Sequence, residues 1–229
     1  MSRVVLKTVS TVEAVSNMIE DDIYSLRYRM GEKIVEMDLV ARYNVSRNTL
    51  RESIAYLISK GLLEKVANKG IYVKEILSED IEDIFHLREL LEAEAIRRII
   101  AGGNVPKNLY TLEKNASRFE QEIDHVAIIE ADIAFHMALV SAAESPRLMN
   151  MYENLLFEVK LCMFQARAFV PLRPINAIHH HNILLAMENG NISEALSQLS
   201  EHIDSAIATY KTGLPKRHSG TLHGCETKT

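Results

Sequence analysis

From Ser78 to Lys211 the sequence repeats one signal: apolar residues three and four apart, ended by glycines or polar caps, with no alternating run between them. A chain patterned this way over more than half its length buries its apolar stripes helix against helix. The first of these stretches, "SEDIEDIFHLRELLEAEAIRRIIAGG", has acids in its first turn and Gly102-Gly103 as a stop. Further helices are expected at about 106–122, 125–143, 146–168, 174–189 and 192–211. Only 9 Gly and 5 Pro in 229 residues, with 47% hydrophobic residues, agree with a helix-rich globular chain.

The first 76 residues read differently. A helix is expected from about Thr11 to Leu26, with Val15, Ile19, Ile23 and Leu26 on its apolar face, and Met30-Gly31 breaks it. A short helix fits "VEMDLVARY", ended by Asn44. Ser46 stands as N-cap of "SRNTLRESIAYLISKG", where Ile54, Leu57 and Ile58 face inward and Gly61 stops the helix. "LLEKVA", "NKG" and "IYVKEI" then predict strand, tight turn and strand. Helix, helix, turn, helix and hairpin is the order of a winged helix-turn-helix. The boundary falls at 75–79. The expected architecture is mainly α: a winged helix-turn-helix over 1–76, an all-helical bundle over 77–213 and a disordered tail over 214–229.

Charge divides with this boundary. Residues 1–76 hold 12 Lys and Arg against 10 Asp and Glu, and the remainder 14 against 21. A mildly basic module joined to an acidic one suits DNA binding by the first alone. No apolar run reaches the roughly 18 residues of a membrane span. The N-terminus lacks a secretory h-region, and Cys162 and Cys225 make no disulfide framework. A reducing cytoplasm is expected.

Within "LVARYNVSRNTLRESI", Ala41 is small where two helices are expected to cross, and Val45 plugs the core beneath the turn. Arg47, Asn48, Thr49 and Arg51 crowd the first turn and a half after Ser46. That end of a recognition helix enters the major groove. Arg pairs with guanine O6 and N7, Asn with adenine, and hydroxyls and the helix N-terminus suit phosphates. Lys69 and Gly70 at the hairpin tip offer a cation and a close-approaching backbone for the minor groove. One such helix reads too few base pairs for genomic specificity, so a homodimer on a palindromic operator is expected. The plainer alternative is a solvated helix start with ordinary surface arginines.

Residues 11–76 resemble the DNA-binding domain of the GntR superfamily of bacterial transcription regulators. "VSRNTLRESI" stands where that family has V-S-R-T-P-V-R-E-A-L, and "LISKGLLEKVANKGIYV" is similar to its L-x-x-x-G-L-V-x-x-x-x-x-R-G-x-x-V. The resemblance implies that Arg47 and Arg51 are main DNA contacts, with Asn48, Thr49 and Gly70 nearby. Asn48-Thr49 replaces the common Thr-Pro, Met30 the usual Pro before the glycine, and Met37 an arginine of some members. These departures bear on which operator is read.

In "ADIAFHMALV", Asp132 and His136 lie four apart and share a helix face. If that face is buried, both need partners. Of nine histidines, His218 and His223 lie in the tail, and His86 and His125 near helix surfaces or starts. His180 shares a face with Leu184 and Met187, and His202 sits among Leu199, Ile203 and Ala206. One Asp and three His from three helices match a divalent metal site, with Zn or Ni favoured and Mn or Co also fitting. Each piece has a plainer reading alone: a helix hydrogen bond, a polar helix start, a satisfied core histidine.

Residues 78–211 resemble the FCD domain, the all-helical effector domain of the FadR branch of the same superfamily. The matching pieces are "LRELLEAEAIRRI", "DIAFHMALVSAAESPRL" and "HNILLAMENGNISEALSQLSEHI". Gly190 sets the register: His180 lies ten residues before it and His202 twelve after. By that resemblance Asp132, His136, His180 and His202 are the metal ligands, and His179 and His181 are not. The resemblance also implies a small organic acid as effector, its carboxylate completing the metal's coordination. Arg88 is a candidate second clamp on it, the alternative being an ordinary salt link to Glu92. A metal-dependent hydrolase and a purely structural metal are the other readings. The bundle shows no obvious general base beside the ligands, and a hydrolase leaves the DNA-reading module without a role, so a non-enzymatic regulator is expected.

Overall fold

The computed structural model describes residues 10–122, 124–170 and 176–216. In chain order the elements are α1 (Thr11–Tyr24), β1 (Lys33–Ile34), α2 (Glu36–Tyr43), α3 (Arg47–Ser59), β2 (Leu63–Val66), β3 (Gly70–Val73), α4 (Ile81–Gly102), α5 (Lys107–Glu122), α6 (His125–Ser141), α7 (Pro146–Ala166), α8 (Asn176–Glu188) and α9 (Ile192–Lys211). The architecture is mainly helical, a winged helix-turn-helix followed by a helical bundle.

In the first module the local chemistry sets the boundaries. Ser10 caps α1 by accepting from the Glu13 amide. The helix stops at Tyr24, two residues short of the expected end, because Leu26 takes a left-handed φ of 66°. Asn44 ends α2 in the same conformation, which Asn tolerates better than most residues. Ser46 caps α3, its Oγ accepting from the Thr49 amide at 3.1 Å. Val15, Ile19, Ile23, Leu39, Leu50, Ile54 and Leu57 are buried together. Val45 packs partly buried against them. Ala41 is exposed, so its small size serves no helix crossing there.

The hairpin forms as expected, and a strand not legible in the sequence joins it. Lys33 and Ile34 pair antiparallel with Tyr72 and Ile71, giving the order β1-β3-β2. A two-residue strand has no periodicity to detect, and its pairing partner is far along the chain.

In the bundle, α4 packs on α6, α7 and α9, α5 on α6 and α8, and α8 on α9. Asp124, Ser145 and Asn191 cap α6, α7 and α9. Gly190, at φ 66°, turns α8 into α9 and so sets the two helices side by side. Leu214 and Pro215, placed in the tail on the sequence, belong instead to the packed structure: Leu214 is buried, and the Pro215 carbonyl accepts from the Ser78 amide at 2.8 Å. The rest of the expected tail, residues 217–229 with His218, His223 and Cys225, lies outside the described residues.

One bundle helix holds the first module. On α7, Gln165 donates to the Ile23 and Tyr28 carbonyls at 2.8 and 3.1 Å, and its Oε1 accepts from the Met30 amide at 3.3 Å. Arg167, just beyond α7, donates to the Tyr24 carbonyl at 2.6 Å, and Phe164 stacks on Tyr24 with centroids 5.1 Å apart. Gln165 is buried with its amide satisfied, so losing it orphans backbone groups at a cost of about 1–3 kcal/mol each.

Candidate metal centre and DNA-reading helix

Asp132 and His136 project from α6, His180 from α8 and His202 from α9, and all four are buried. The His136 Nε2 lies 3.0 Å from both the His180 Nε2 and the His202 Nε2. Asp132 Oδ1 lies 3.6, 3.3 and 3.5 Å from the Nε2 atoms of His136, His180 and His202. The four residues expected from the sequence therefore meet at one point. Phe135 stacks on the His180 ring at 4.1 Å and fixes its plane. The neighbouring histidines point elsewhere, as successive helical residues about 100° apart must. The His179 ring sits edge-on to His202, 6.0 Å away, and exposed His181 stands 3.9 Å from Glu113.

Arg88 and Glu92, one turn apart on α4, back this cluster. Arg88 is buried: its Nε donates to Glu92 Oε1 at 2.8 Å and its Nη2 to Asp132 Oδ2 at 3.1 Å. Its Nη1 is buried with no partner among the described residues. The salt link read from the sequence is thus present, with Asp132 as a second partner, and one nitrogen is left over. Glu92 also accepts from the Tyr152 hydroxyl at 2.8 Å, and its Oε2 lies 2.6 Å from His136 Nδ1. Spacing alone marks Glu92 only as a salt-link partner of Arg88 and gives no sign of Tyr152. Glu92 had a usable signal, its i+4 spacing from Arg88 on an inward face. Tyr152 had none, being one aromatic in an apolar stripe.

Burial favours neutral forms, and nearby charges overcome it at Asp132, Glu92 and His136. Burial would raise Asp132, but Arg88 and His136 hold its carboxyl well below the usual range. Burial would likewise raise Glu92, and His136 and Arg88 bring it down to about 2. Burial and Arg88 push His136 down, yet Glu92 and Asp132 outweigh them and raise it. Burial pushes His180 down to about 4 and His202 well below the imidazole range. These two rings are neutral near pH 7 and offer lone pairs.

The donor set fits a cation. With Nδ1 committed to Glu92, a neutral His136 presents a bare lone pair at Nε2, facing two more imidazole nitrogens. Asp132 Oδ1 is buried with no hydrogen-bond donor among the described residues. Two such atoms bound to one ion at about 2.0–2.2 Å, with angles near 90–110°, stand roughly 3–3.5 Å apart. Five of the six separations within the cluster are 3.0–3.6 Å. Glu92, bound to three partners and strongly acidic, is poorly suited to act as a general base.

The DNA-reading candidates are arranged differently. Arg47 and Asn48 are exposed at the start of α3, and Thr49 is half-buried with its hydroxyl 2.8 Å from Ser46 Oγ. Arg51 reaches across to Glu36 of α2, Nε to Oε2 at 3.3 Å. Lys69 is exposed on the β2–β3 turn, where Gly70 takes a φ of 119°. A Cβ on Gly70 would stand 3.1 Å from Lys33 Cε, so Lys33, not singled out from the sequence, adds a second cation to the wing.

Comparison with known proteins agrees with both halves. Residues 11–73 match the family of bacterial regulatory proteins, gntR family, and residues 83–205 match the FCD domain. The chain is 25% identical over 214 residues to the HTH-type transcriptional regulator BphR of Paraburkholderia xenovorans (strain LB400), covering 88% of this chain and 86% of that protein. It is 30% identical over 130 residues to the Nta operon transcriptional regulator of Aminobacter aminovorans, 55% of this chain and 60% of the other. Among solved structures, a GntR transcriptional regulator from Rhodococcus sp. RHA1 superposes with a TM-score of 0.74 at 25% identity, covering 86% of this chain and 95% of that one.

Proposed function

Because the chain belongs to the GntR family of bacterial regulatory proteins and carries its FCD domain, and is a DNA-binding transcription regulator of that type, we propose that a small carboxylate, bound at a divalent metal ion in the bundle, controls its operator affinity. The observation that carries this reading is the convergence of three imidazole Nε2 atoms on a buried aspartate oxygen that has no hydrogen-bond donor among the described residues. Asp132, His136, His180 and His202 hold the ion, which is Zn or Ni by ligand type, with Mn and Co also compatible. When bound, the ion supplies positive charge and a coordination position for the effector's carboxylate. Arg88 contributes only Nη1 as a second clamp, its other contacts being committed to Glu92 and Asp132.

The first 76 residues form the DNA-reading module and 77–215 the effector module. Ser46, Arg47, Asn48, Thr49 and Arg51 meet the major groove, and Lys69 and Gly70 the minor groove. Two copies read a palindromic operator. Between the modules, α7 is the physical path. Tyr152 near its start touches Glu92, and Gln165 near its end holds α1, about 20 Å further along at 1.5 Å per residue. No helix among the described residues is long and apolar enough to cross a membrane.

The test is a thermal-shift screen of metal-loaded and chelator-stripped protein against organic acids, followed by gel shifts with the best ligand. A ligand that binds only the folded state raises its apparent stability. The expected result is a carboxylate that stabilises the loaded protein, has little effect on the stripped one, and changes DNA affinity. Turnover of an ester or phosphate would point to a hydrolase instead. Metal uptake with no ligand effect on DNA binding would point to a structural ion.

A further inference from the structure

The three histidines of the cluster are not held alike. His180 Nδ1 and His202 Nδ1 are buried with no partner among the described residues. His136 Nδ1 instead lies 2.6 Å from Glu92 Oε2. Glu92 is itself fixed by two further donors, Arg88 Nε and the Tyr152 hydroxyl, both at 2.8 Å on its other oxygen. An ionised carboxylate only accepts hydrogen bonds, so Nδ1 must carry a proton. In a neutral imidazole the lone pair then belongs to Nε2, the atom turned toward His180, His202 and Asp132.

We propose that Glu92 is the positioning residue of the metal centre: it does not touch the ion but holds His136 in the one tautomer and ring orientation that presents Nε2 to it. This rests on the metal reading above. The chemistry is general. A carboxylate accepting from the far nitrogen of a metal-bound histidine fixes the ring and raises its basicity, and losing it commonly costs 10–100-fold in metal affinity. Here the acceptor comes from α4 and its histidine from α6, while the third bond to Glu92 comes from α7. One carboxylate therefore links a metal ligand to the helix that holds the DNA-reading module.

The test uses the full chain, stripped by chelation and titrated with Zn(II) against a competing chelator. Glu92→Gln removes the charge and keeps the shape. Its expected Zn(II) affinity is about 10–100-fold below wild type, measured on protein whose metal-free melting transition shows it folded. His202→Ala serves as the reference for losing a ligand outright. Wild-type protein that takes up no Zn(II) overturns the metal reading and this inference with it. Zn(II) uptake by wild type with a Glu92→Gln affinity within twofold of it overturns only the role of Glu92. Nitrogen-15 NMR of the Zn(II)-loaded wild-type protein decides the question independently, even if the variant fails to fold. Glu92 in this role gives His136 an Nδ1–H proton bonded to the carboxylate and shifted downfield of those of His180 and His202, which have no acceptor among the described residues, whereas a His136 proton that resonates with theirs, or a bare Nδ1, excludes the role.

Discussion

Two arginine–glutamate pairs sit in the two halves of this molecule, and they differ in almost everything but chemistry. Arg88 and Glu92 meet at 2.8 Å with side chains 1% and 0% exposed, and each has further partners in the metal cluster. Arg51 and Glu36 meet at 3.3 Å with side chains 68% and 42% exposed. A buried charge that loses its partner has no water to turn to, while an exposed one rehydrates. The buried pair is therefore held in a fixed, mutually dependent array with Asp132 and His136. The exposed pair is loosely held, and on the proposed reading Arg51 can exchange Glu36 for a phosphate or base.

The sharpest way to break this contrast is to remove Arg88. Arg88→Ala leaves Asp132 and Glu92 buried without their shared cation. A loss of about 3–5 kcal/mol is expected in urea unfolding of the metal-free protein. A loss under about 1 kcal/mol would mean that water or rearrangement relieves the cluster, and the two pairs would be energetically alike.

Next comes Arg47, exposed at the start of α3. Arg47→Ala should weaken operator binding by about 1–3 kcal/mol at matched salt, with unfolding stability unchanged within about 0.5 kcal/mol. Gel shifts at full affinity would take Arg47 out of the interface. Equal losses in stability and DNA binding would instead make it a structural residue like Arg88.

Ser46 lies between the two behaviours, because it both builds the helix and stands at the proposed interface. Its Oγ accepts from the Thr49 amide, so Ser46→Ala should cost about 1 kcal/mol of stability. Chemical unfolding measures that directly, and a change below about 0.3 kcal/mol would show the cap to be replaceable by water.

What was legible in the sequence follows the same division. The DNA-reading half is written in local signals: Ser46 as cap, Asn44 as helix end, a Lys-Gly turn between two short strands. Each depends on residues a few places away, and each formed where expected. The strand at Lys33–Ile34 did not show, since only its pairing with β3 makes it a strand. His180 was legible among three histidines because one helix face excludes its neighbours. The roles of Glu92 and Tyr152 were not. Glu92 meets His136 and Tyr152 across separations of 44 and 60 positions, and no spacing rule spans them. Leu214 is not legible, because a single apolar residue beyond the last helix reads as tail until the core that buries it is known.

The smallest expected effect tests the exposed pair itself. Glu36→Gln removes the partner of Arg51 without changing side-chain size. Exposed pairs are worth about 0.2–1 kcal/mol, so unfolding stability should fall by no more than about 0.5 kcal/mol, and less in high salt, where such attractions are screened. DNA affinity should move the other way. Arg51 must leave Glu36 to reach a base or phosphate, and the Glu36 carboxylate would otherwise be brought toward a polyanion. Releasing it should tighten binding at low salt by roughly the same 0.2–1 kcal/mol, a gain that fades as ionic strength rises. Measuring both quantities across a salt series separates two roles for Glu36. Tighter binding with nearly unchanged stability makes it a competitor that holds Arg51 in reserve. Weaker binding means it aims Arg51 at the groove, and the exposed pair would then be an ordered element like its buried counterpart.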